Sequence, residues 1–507
     1  MSEPIWIPAI LVTLPILAAA LPLLLGRIWS NVGWWVGLVT MLAESILVAV
    51  LAVWVYQEGP VHHYLGGFAP PVGIELVADE LSMLITILIA GFGLLVLAFT
   101  RHAGPRGRGF SSVYLLLIGG LMGVTLTGDL FNLFVFIEIT GIATYALIAA
   151  RDHPKAALAA LKYLIIGTVG ATFYLIGVGY LFAATGTLNM LDVAASLAGE
   201  GSANQGELYD DRLIQAGFVF IFAGLATKIA LFPVHSWQPD AYHQAPDGVT
   251  VLISALVSTV ATYALIRVIF SVFTVDFFSV NPMATTAVIS VGVLSVLIGS
   301  GLAVIQPQVK RMLAYSSVSQ FGLIVIAVGI ATGPVRSEFA LAGAMIHLFG
   351  HGIMKGGIFA AVGVLAYSTG ARSVRDFADL GRRRPIAAGM VAILGFALVG
   401  VPPSIGFIGK WYIAIGAVES GVWLAAFVVF LSTLLTLAYV ARLLERLYFV
   451  PRSTVDTELV TDGGASRPMV GMLVMLLVIA AITVSLGFFG EALFSAIEPF
   501  VEGALNP

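Results

Sequence analysis

The chain is poor in charge and has no cysteine. The absence of cysteine from all 507 residues excludes disulfides, thiolate metal sites and cysteine-ligated iron–sulfur clusters. Charged residues make up only 10%, whereas soluble domains carry about 25%. We find no nucleotide-binding fingerprint and no haem motif, which argues against a redox enzyme. Hydrophobic residues make up 59% and the mean hydropathy is +1.01, so the composition predicts an all-α polytopic membrane protein.

Apolar windows of the length that crosses a bilayer, about 20 residues, occur fourteen times. The predicted spans, numbered 1 to 14, are 5–25, 33–56, 80–100, 111–127, 130–150, 158–184, 213–233, 246–271, 283–305, 310–331, 338–368, 385–416, 422–447 and 469–490. The 55 glycines suit close packing between membrane helices.

Basic residues are concentrated in alternate loops. Seventeen of the 24 lie in the loops that share a side with Arg27, and only Arg212, Arg267 and Arg336 lie in or near the opposite loops. Since basic loops face the cytoplasm, this asymmetry predicts a cell-membrane protein with both termini on the outer side.

Two spans carry proline at membrane depth. Span 7 contains Lys228 followed by Pro233, and span 12 contains Pro402 and Pro403 ahead of Lys410. Proline breaks a helix interior, and broken helices at this depth are tolerated inside protein or around a wet cavity. Because the two spans lie five apart, they have opposite orientations, as expected for inverted repeats.

Four of the six lysines lie inside apolar segments, which is unusual because a charge at the bilayer centre costs at least ~2.5–3.5 kcal/mol. They are Lys162, Lys228, Lys355 and Lys410. Glu138, near the middle of span 5, is the carboxylate we expect to pair with Lys228. The pair would be switched by an arriving proton, or it would be a static structural contact. Lys410 would belong to the same pathway or reach the outer interface.

Span 11 carries His347, His351 and Lys355 at spacing i, i+4, i+8, which places them on one helical face. This row predicts a water-bridged proton relay. Helix packing is the plainer alternative, and two histidines without a nearby acid are a thin ligand set for zinc.

Three further residues are weaker candidates. His235 follows Lys228 by seven residues and would continue a path from it. Lys162 lies only a few residues into span 6, where it would either join the path or extend to the cytoplasmic interface. Glu44, in the middle of span 2, is either a packing residue or a contact to a partner subunit.

Two segments, 225–246 (LATKIALFPVHSWQPDAYHQAP) and 310–320 (KRMLAYSSVSQ), resemble the signatures of antiporter-like proteins. This family comprises large subunits of Mrp-type sodium/proton antiporters and the proton-pumping subunits of complex I and membrane-bound hydrogenases. The resemblance implies fourteen helices with two inverted five-helix repeats. The implied regions are 1–110 (three N-terminal helices), 111–271 (first repeat), 283–448 (second repeat) and 469–507 (last helix and tail).

The resemblance also implies functional positions. Glu138, Lys228 and Lys410 match the ionisable positions of spans 5, 7 and 12. His347, His351 and Lys355 match the family's span 11 segment. Thr259 stands where the family usually has a lysine or histidine, so the central relay would run through water or His235. The predicted proton pathway is therefore Glu138, Lys228, His235, Thr259, His347, His351, Lys355 and Lys410, with Lys162 and Glu44 as accessory positions.

We expect no catalytic residues, no metal site and no cofactor. The presence of Lys410 where the M-type subunit of complex I has a glutamate argues against that type, and a single span after the second repeat argues against the L-type subunits and the Mrp A subunit. Of the types that remain, the D-type subunit of an Mrp-type antiporter is favoured. The alternative is an N-type or hydrogenase-type subunit of a complex I-like assembly. In either case the expected partners are other membrane subunits, protons, sodium for an antiporter, and the lipid bilayer, with no nucleic acid.

Overall fold

The computed structural model describes residues 4–29, 31–101, 104–105, 107–151, 153–200, 206–451 and 470–506. In that part of the chain, thirteen helical segments are long and apolar enough to cross a bilayer. They are Ile7–Leu25, Val32–Glu58, Glu80–Thr100, Arg108–Leu126, Leu130–Ala149, Pro154–Thr185, Arg212–Gln244, Asp247–Val280, Pro282–Ile305, Val309–Ala331, Glu338–Thr369, Trp423–Phe449 and Val470–Phe488. They correspond to spans 1–11, 13 and 14, which confirms the predicted fold class.

Span 12 consists of two shorter helices, Pro385–Val399 and Ile405–Glu419. The first ends at Gly400, whose φ of 93° turns the chain out of the helix, and Ser404 caps the second by accepting from Phe407 N. Span 7 is broken in the same manner, because helix Arg212–Ile229 ends at Ala230 with φ 73°. The chain continues through Val234–Ser236 to helix Trp237–Gln244. Both predicted breaks are therefore present.

Span 8 is helical except at Thr274, whose φ is 59°, and it changes its hydrogen-bonding pattern twice. Ile253–Val257 and Ile269–Phe273 are π-helical, between α-helical segments Asp247–Leu252, Ser258–Val268 and Thr274–Val280. Such bulges frequently occur at functional sites in helices. The apolar core of span 8 is completely buried inside the chain, and spans 10 and 11 are nearly so. These three spans therefore form the interior of the bundle.

Several elements were not predicted from the sequence. Strands β1 (Val61–Tyr64) and β2 (Glu75–Ala78) form an antiparallel hairpin between spans 2 and 3, with Val61 opposite Ala78. Helix Met190–Leu197 follows span 6, and helix Gly490–Leu505 follows span 14. The remaining short helices are Leu65–Gly67, Arg375–Phe377, Leu380–Arg383 and Leu486–Phe488.

The hairpin marks one end of the bundle, called here the hairpin side. Bridges join Leu76 to Thr127 and Asp129 to Asn189, so the hairpin, the end of span 4 and helix Met190–Leu197 meet there. Arg336 donates to Leu505 O at 2.8 Å and fixes the C-terminal helix at the same end. The boundaries of the two inverted repeats stay a prediction.

Candidate functional site

The structure brings Glu138 and Lys228 into direct contact. Lys228 Nζ donates to Glu138 Oε1 at 2.7 Å; the Lys228 side chain is 6% exposed and the Glu138 side chain 24%. Lys228 lies in the last turn of the first helix of span 7, where a cation is favoured by the helix dipole. Charges interact more strongly here than in water because the effective dielectric constant is lower. A proton that neutralised Glu138 would therefore change the energy of Lys228 substantially.

A cavity of about 20 Å³ lies beside this pair, between span 5 and span 8. Lys228 and Thr140 line one side, and Val257 and Val260 line the other. One water molecule needs roughly 10–15 Å³, so the cavity has room for one. The hydroxyl of Thr140 and that of the nearby Tyr145 are buried without a hydrogen-bond partner among the described residues. Both the space and the polar groups that a bridging water needs are therefore present.

Lys162 and His235 lie towards the end of the bundle opposite the hairpin side. Lys162 Nζ contacts Asp240 Oδ2 at 2.7 Å and Ser236 O at 2.8 Å, and Arg311 holds the other Asp240 oxygen at 3.1 Å. The Lys162 side chain is 36% exposed, which agrees with a position near the interface. The His235 ring lies 6.1 Å from that of Tyr315, and its Nδ1 is buried without a partner in the described parts of the chain.

The three protonatable residues of span 11 are completely buried and contact span 10. His347 Nε2 lies 2.9 Å from Gln320 Oε1, and Lys355 Nζ donates to Leu313 O at 2.7 Å. The His351 ring packs on Phe321 at 4.5 Å, and neither of its nitrogens has a hydrogen-bond partner within the described ranges. The row therefore holds unused hydrogen-bonding capacity in the interior, as a proton relay requires.

Lys410 is stabilised by the break in span 12. Its Nζ donates to Leu398 O at 2.9 Å and to Val399 O at 3.1 Å, at the end of the first helix of that span. These terminal carbonyls lack helical partners and form the negative end of the helix dipole. A Cβ at Gly409 would lie 2.7 Å from the Cα of His347, so Lys410 lies next to the span 11 row.

Thr259 is completely buried in span 8, and its hydroxyl has no partner among the described residues. The π-helical segment Ile253–Val257 of the same span lies between the Glu138–Lys228 pair and the polar row of span 11. Val257 lines the Lys228 cavity, and Ala255 O approaches Gly352 of span 11. In the described part of the chain no side-chain hydrogen-bond chain joins Lys228 to His351. Water at Thr259 would be needed to connect them.

Glu44 is fully buried by the chain's own helices, and neither carboxylate oxygen has a hydrogen-bond partner in the described ranges. It therefore does not lie on a surface that a partner subunit could contact. Gln320, Asp240 and Tyr145 were not predicted from the sequence as neighbours of the charged residues. Gln320 lies in the 310–320 signature and Asp240 in the 225–246 signature, so the motifs themselves were the signal.

Comparisons with known proteins identify the class. Residues 127–436 match the NADH:quinone oxidoreductase/Mrp antiporter transmembrane family, and the chain belongs to it. It is 38% identical over 505 residues to the N subunit of NADH-quinone oxidoreductase from Desulforudis audaxviator (strain MP104C), covering 96% of this chain and 97% of that protein. It is 30% identical over 506 residues to the D subunit of the Na(+)/H(+) antiporter from Bacillus subtilis (strain 168), covering 98% and 96%.

Solved structures agree with this assignment. The chain resembles a chain of the membrane-bound sulfane sulfur reductase, an archaeal respiratory membrane complex, with a TM-score of 0.87, 30% identity and 98% coverage of both chains. It resembles a chain of the Mrp complex from Dietzia sp. DQ12-45-1b with a TM-score of 0.84 and 24% identity over the whole of both chains, which is evidence for the fold. The antiporter-like resemblance inferred from the two signatures is confirmed.

Proposed function

We propose that this chain is the proton-translocating subunit of a hetero-oligomeric complex in the cytoplasmic membrane. The observation that carries the proposal is the Glu138–Lys228 contact at 2.7 Å beside a water-sized cavity. From there the buried polar groups continue through span 8 and span 11 to Lys410. Intramembrane ionisable residues that face the bundle interior typically mark ion or proton paths.

The mechanism follows from the pair's electrostatics. A proton that binds Glu138 removes the negative charge that stabilises the Lys228 ammonium. Because an uncompensated buried charge is strongly unfavourable, Lys228 then releases its proton towards the cavity. Thr259, with ordered water, would pass it to the row formed by His351, Lys355 and His347, and Lys410 would exchange it at the far end.

Two assemblies are candidates for the host complex. In the first, favoured by the sequence analysis, the chain is the D-type subunit of an Mrp-type Na+/H+ antiporter, and sodium movement drives or is driven by the proton path. In the second, it is an N-type subunit of a quinone-reducing respiratory complex. The 38% identity to an oxidoreductase N subunit over nearly the whole chain favours the second candidate. In both, the chain conducts ions and a neighbouring subunit supplies the energy.

The test of proton translocation uses membrane vesicles that contain the complete complex. Glu138→Gln and Lys228→Met remove one charge each, and we expect proton transport to fall by at least about tenfold, because a positioned proton-transfer group typically contributes about 10²–10⁴-fold. Lys155→Met, at an exposed position, is the control. Normal transport by either assembled pair variant would contradict the mechanism.

The host complex and the orientation need separate measurements. Affinity purification of the tagged chain separates the candidates, since co-purifying redox subunits indicate the respiratory complex and sodium-dependent antiport without them indicates the Mrp type. The chain has no cysteine, so Val72→Cys introduces a single labelling site that reports orientation. Val72 is 85% exposed in the hairpin loop. Labelling of intact cells by a membrane-impermeant maleimide is expected if the hairpin side, and with it both termini, faces outward.

A further inference from the structure

Span 8 carries a second row of polar residues, which begins at the relay residue Thr259 and runs towards the hairpin side. Thr259, Tyr263 and Arg267 follow at i, i+4 and i+8 and share one helical face. Arg267 Nε and Nη2 donate to the Tyr263 hydroxyl at 3.2 and 3.1 Å, and all three side chains are buried. The row therefore leads from the centre of the membrane to the hairpin side.

The row ends in a buried ion pair. Arg267 Nη1 and Nη2 each donate to a different oxygen of Asp79 at 2.6 Å, the bidentate geometry of a strong charge-assisted contact. Asp79 also caps span 3, accepting from Ser82 N at 2.9 Å. Burial alone would raise the pKa of the Asp79 carboxyl, but Arg267 and Ser82 hold that pKa below its ordinary value. In this state both oxygens of the Asp79 carboxylate accept hydrogen bonds from Arg267, and the ion pair blocks the end of the row.

The pair forms the floor of an open pocket of about 400 Å³ on the hairpin side. Glu75 and Glu80 supply carboxylates to its lining, and the C-terminal helix covers one flank with Phe500 and Gly503. The Phe500 ring lies 5.4 Å from the Arg267 guanidinium carbon. A proton that passed Asp79 would therefore reach the largely buried carboxylates of the pocket lining.

Unpaired polar groups lie at both ends of the row. At the inner end, the Thr259 hydroxyl is completely buried without a partner in the described parts of the chain. At the pocket, the Thr274 hydroxyl is buried and likewise unpaired among the described residues. A pair that only held spans 3 and 8 together would need neither an open pocket nor orphaned hydroxyls, which cost about 1–3 kcal/mol each when left dry.

We propose that the Thr259–Tyr263–Arg267 face connects the central relay to the hairpin-side pocket and that the Asp79–Arg267 pair gates this connection. When Arg267 moves off Asp79, a proton passes from water ordered at Thr259, through further water along this face, to the Asp79 carboxylate, because Thr259 and Arg267 lie about 12 Å apart along the helix. The proton then leaves Asp79 for Glu80 or bulk water in the pocket, and Arg267 returns. Arg267 stays charged throughout, and Tyr263 positions its guanidinium. This inference rests on the proposed proton translocation.

The first test is Asp79→Asn in the complete complex, measured by proton transport in vesicles. Asparagine keeps the helix cap but cannot carry a proton in this step, so we expect at least about a tenfold loss with assembly intact. The control is Asp276→Asn, because Asp276 also pairs with an arginine, Arg336, at 2.8 Å but does not line the pocket. Equal transport by the Asp79→Asn and wild-type complexes would overturn the gate.

Since Asp79→Asn leaves Arg267 without its counter-charge, a second variant tests the pocket without touching the pair. Gly503 lines the pocket, and a Cβ there meets nothing within 4 Å. Gly503→Leu should fold and fill the opening, and we expect slower transport than in Gly179→Leu, another glycine with open space. If both glycine variants transport alike, the pocket is not on the path.

The Glu138→Gln variant, run in parallel, separates the two proposals. Its failure to block transport would refute the proposed function itself, whereas blockage by Glu138→Gln combined with normal transport by Asp79→Asn and Gly503→Leu would refute only the gate.

Discussion

At the residue scale, the buried lysines are stabilised in two different ways. Lys228 has a carboxylate partner, so its site is neutral as a pair. Lys355 and Lys410 contact only main-chain carbonyls in the described structure. A carbonyl dipole offsets part of the cost of a buried ammonium but cancels no charge. Protonation of Lys355 or Lys410 therefore changes the net charge of the interior, so the protonation of each lysine depends on the charge of its neighbours.

Lys410 tests whether the lysine must release its proton. Lys410→Arg keeps a positive charge and hydrogen-bond donors near Leu398 O and Val399 O, but arginine cannot be deprotonated in proteins. We expect the assembled Lys410→Arg complex to lose proton transport by at least about tenfold. Lys155→Arg at an exposed position is the control, with transport measured as the rate of pH change in vesicles. Full transport by Lys410→Arg would mean that Lys410 acts only as a fixed charge.

Thr259 tests whether a hydroxyl can replace a titratable side chain. Because this hydroxyl has no partner among the described residues, Thr259→Val removes no hydrogen bond to them, and the melting temperature should hardly change. Proton transport should slow, while Thr259→Ser should keep the wild-type rate and Thr259→His or Thr259→Lys should be tolerated. Thr262→Val is the control, since the Thr262 hydroxyl donates to Ser258 O on its own helix. Wild-type transport by Thr259→Val would place the path elsewhere.

At the element scale, the broken helices were predictable because proline leaves a clear signal. The chain nevertheless leaves the helix at Ala230 and Gly400, two to three residues before the prolines, because proline cannot donate the helical hydrogen bond and its ring clashes with the carbonyl four residues earlier. The hairpin was missed because each strand has only four residues. The C-terminal helix was missed because it is too polar for a span window.

Some contacts of the candidate site were predictable from the sequence because their residue types are unusual at membrane depth, and others were not. Glu138 and Lys228 could be paired from the sequence because charges at this depth are rare. The carbonyl partners of Lys355 and Lys410 could not, since every residue offers a carbonyl. The π-helical segments of span 8 leave no mark in hydrophobic periodicity, and the Asp79–Arg267 pair joins residues that are 188 positions apart.

Spans 11 and 12 meet through glycine, which gives an element-scale prediction. At Gly409 a Cβ would lie 2.7 Å from the Cα of His347, so Gly409→Ala must push the two helices apart. We expect lower thermal stability and impaired transport, because His347 and Lys410 would separate. Gly389→Ala, in span 12 with nothing within 4 Å, should instead gain up to about 1 kcal/mol from helix propensity. Thermal unfolding of the purified complexes distinguishes the two, and equal melting temperatures would contradict the packing argument.

At the scale of the whole molecule, the proposed proton path is not accompanied by a recognisable module that could drive it. Its sequence has no ATPase signature and no redox centre, and the described residues contain no cluster of three or more His, Cys, Asp or Glu residues that could hold a metal ion. We therefore expect the chain to move protons only down a gradient or under the influence of a neighbouring subunit. The exposed apolar faces of spans 1 and 2, with Leu17, Trp35 and Val39, are candidate contact surfaces.

Reconstitution of the purified chain alone in proteoliposomes tests this dependence. We expect passive proton leak or no transport, because the energy input lies in subunits that are absent from the liposome. The complete complex, reconstituted in the same lipids, is the positive control and should couple proton movement to sodium or to electron transfer. Adding Glu138→Gln to the isolated chain should abolish any leak that runs through the relay. Full sodium/proton antiport by the isolated chain would contradict the prediction, since it would place both ion paths and their coupling within these 507 residues.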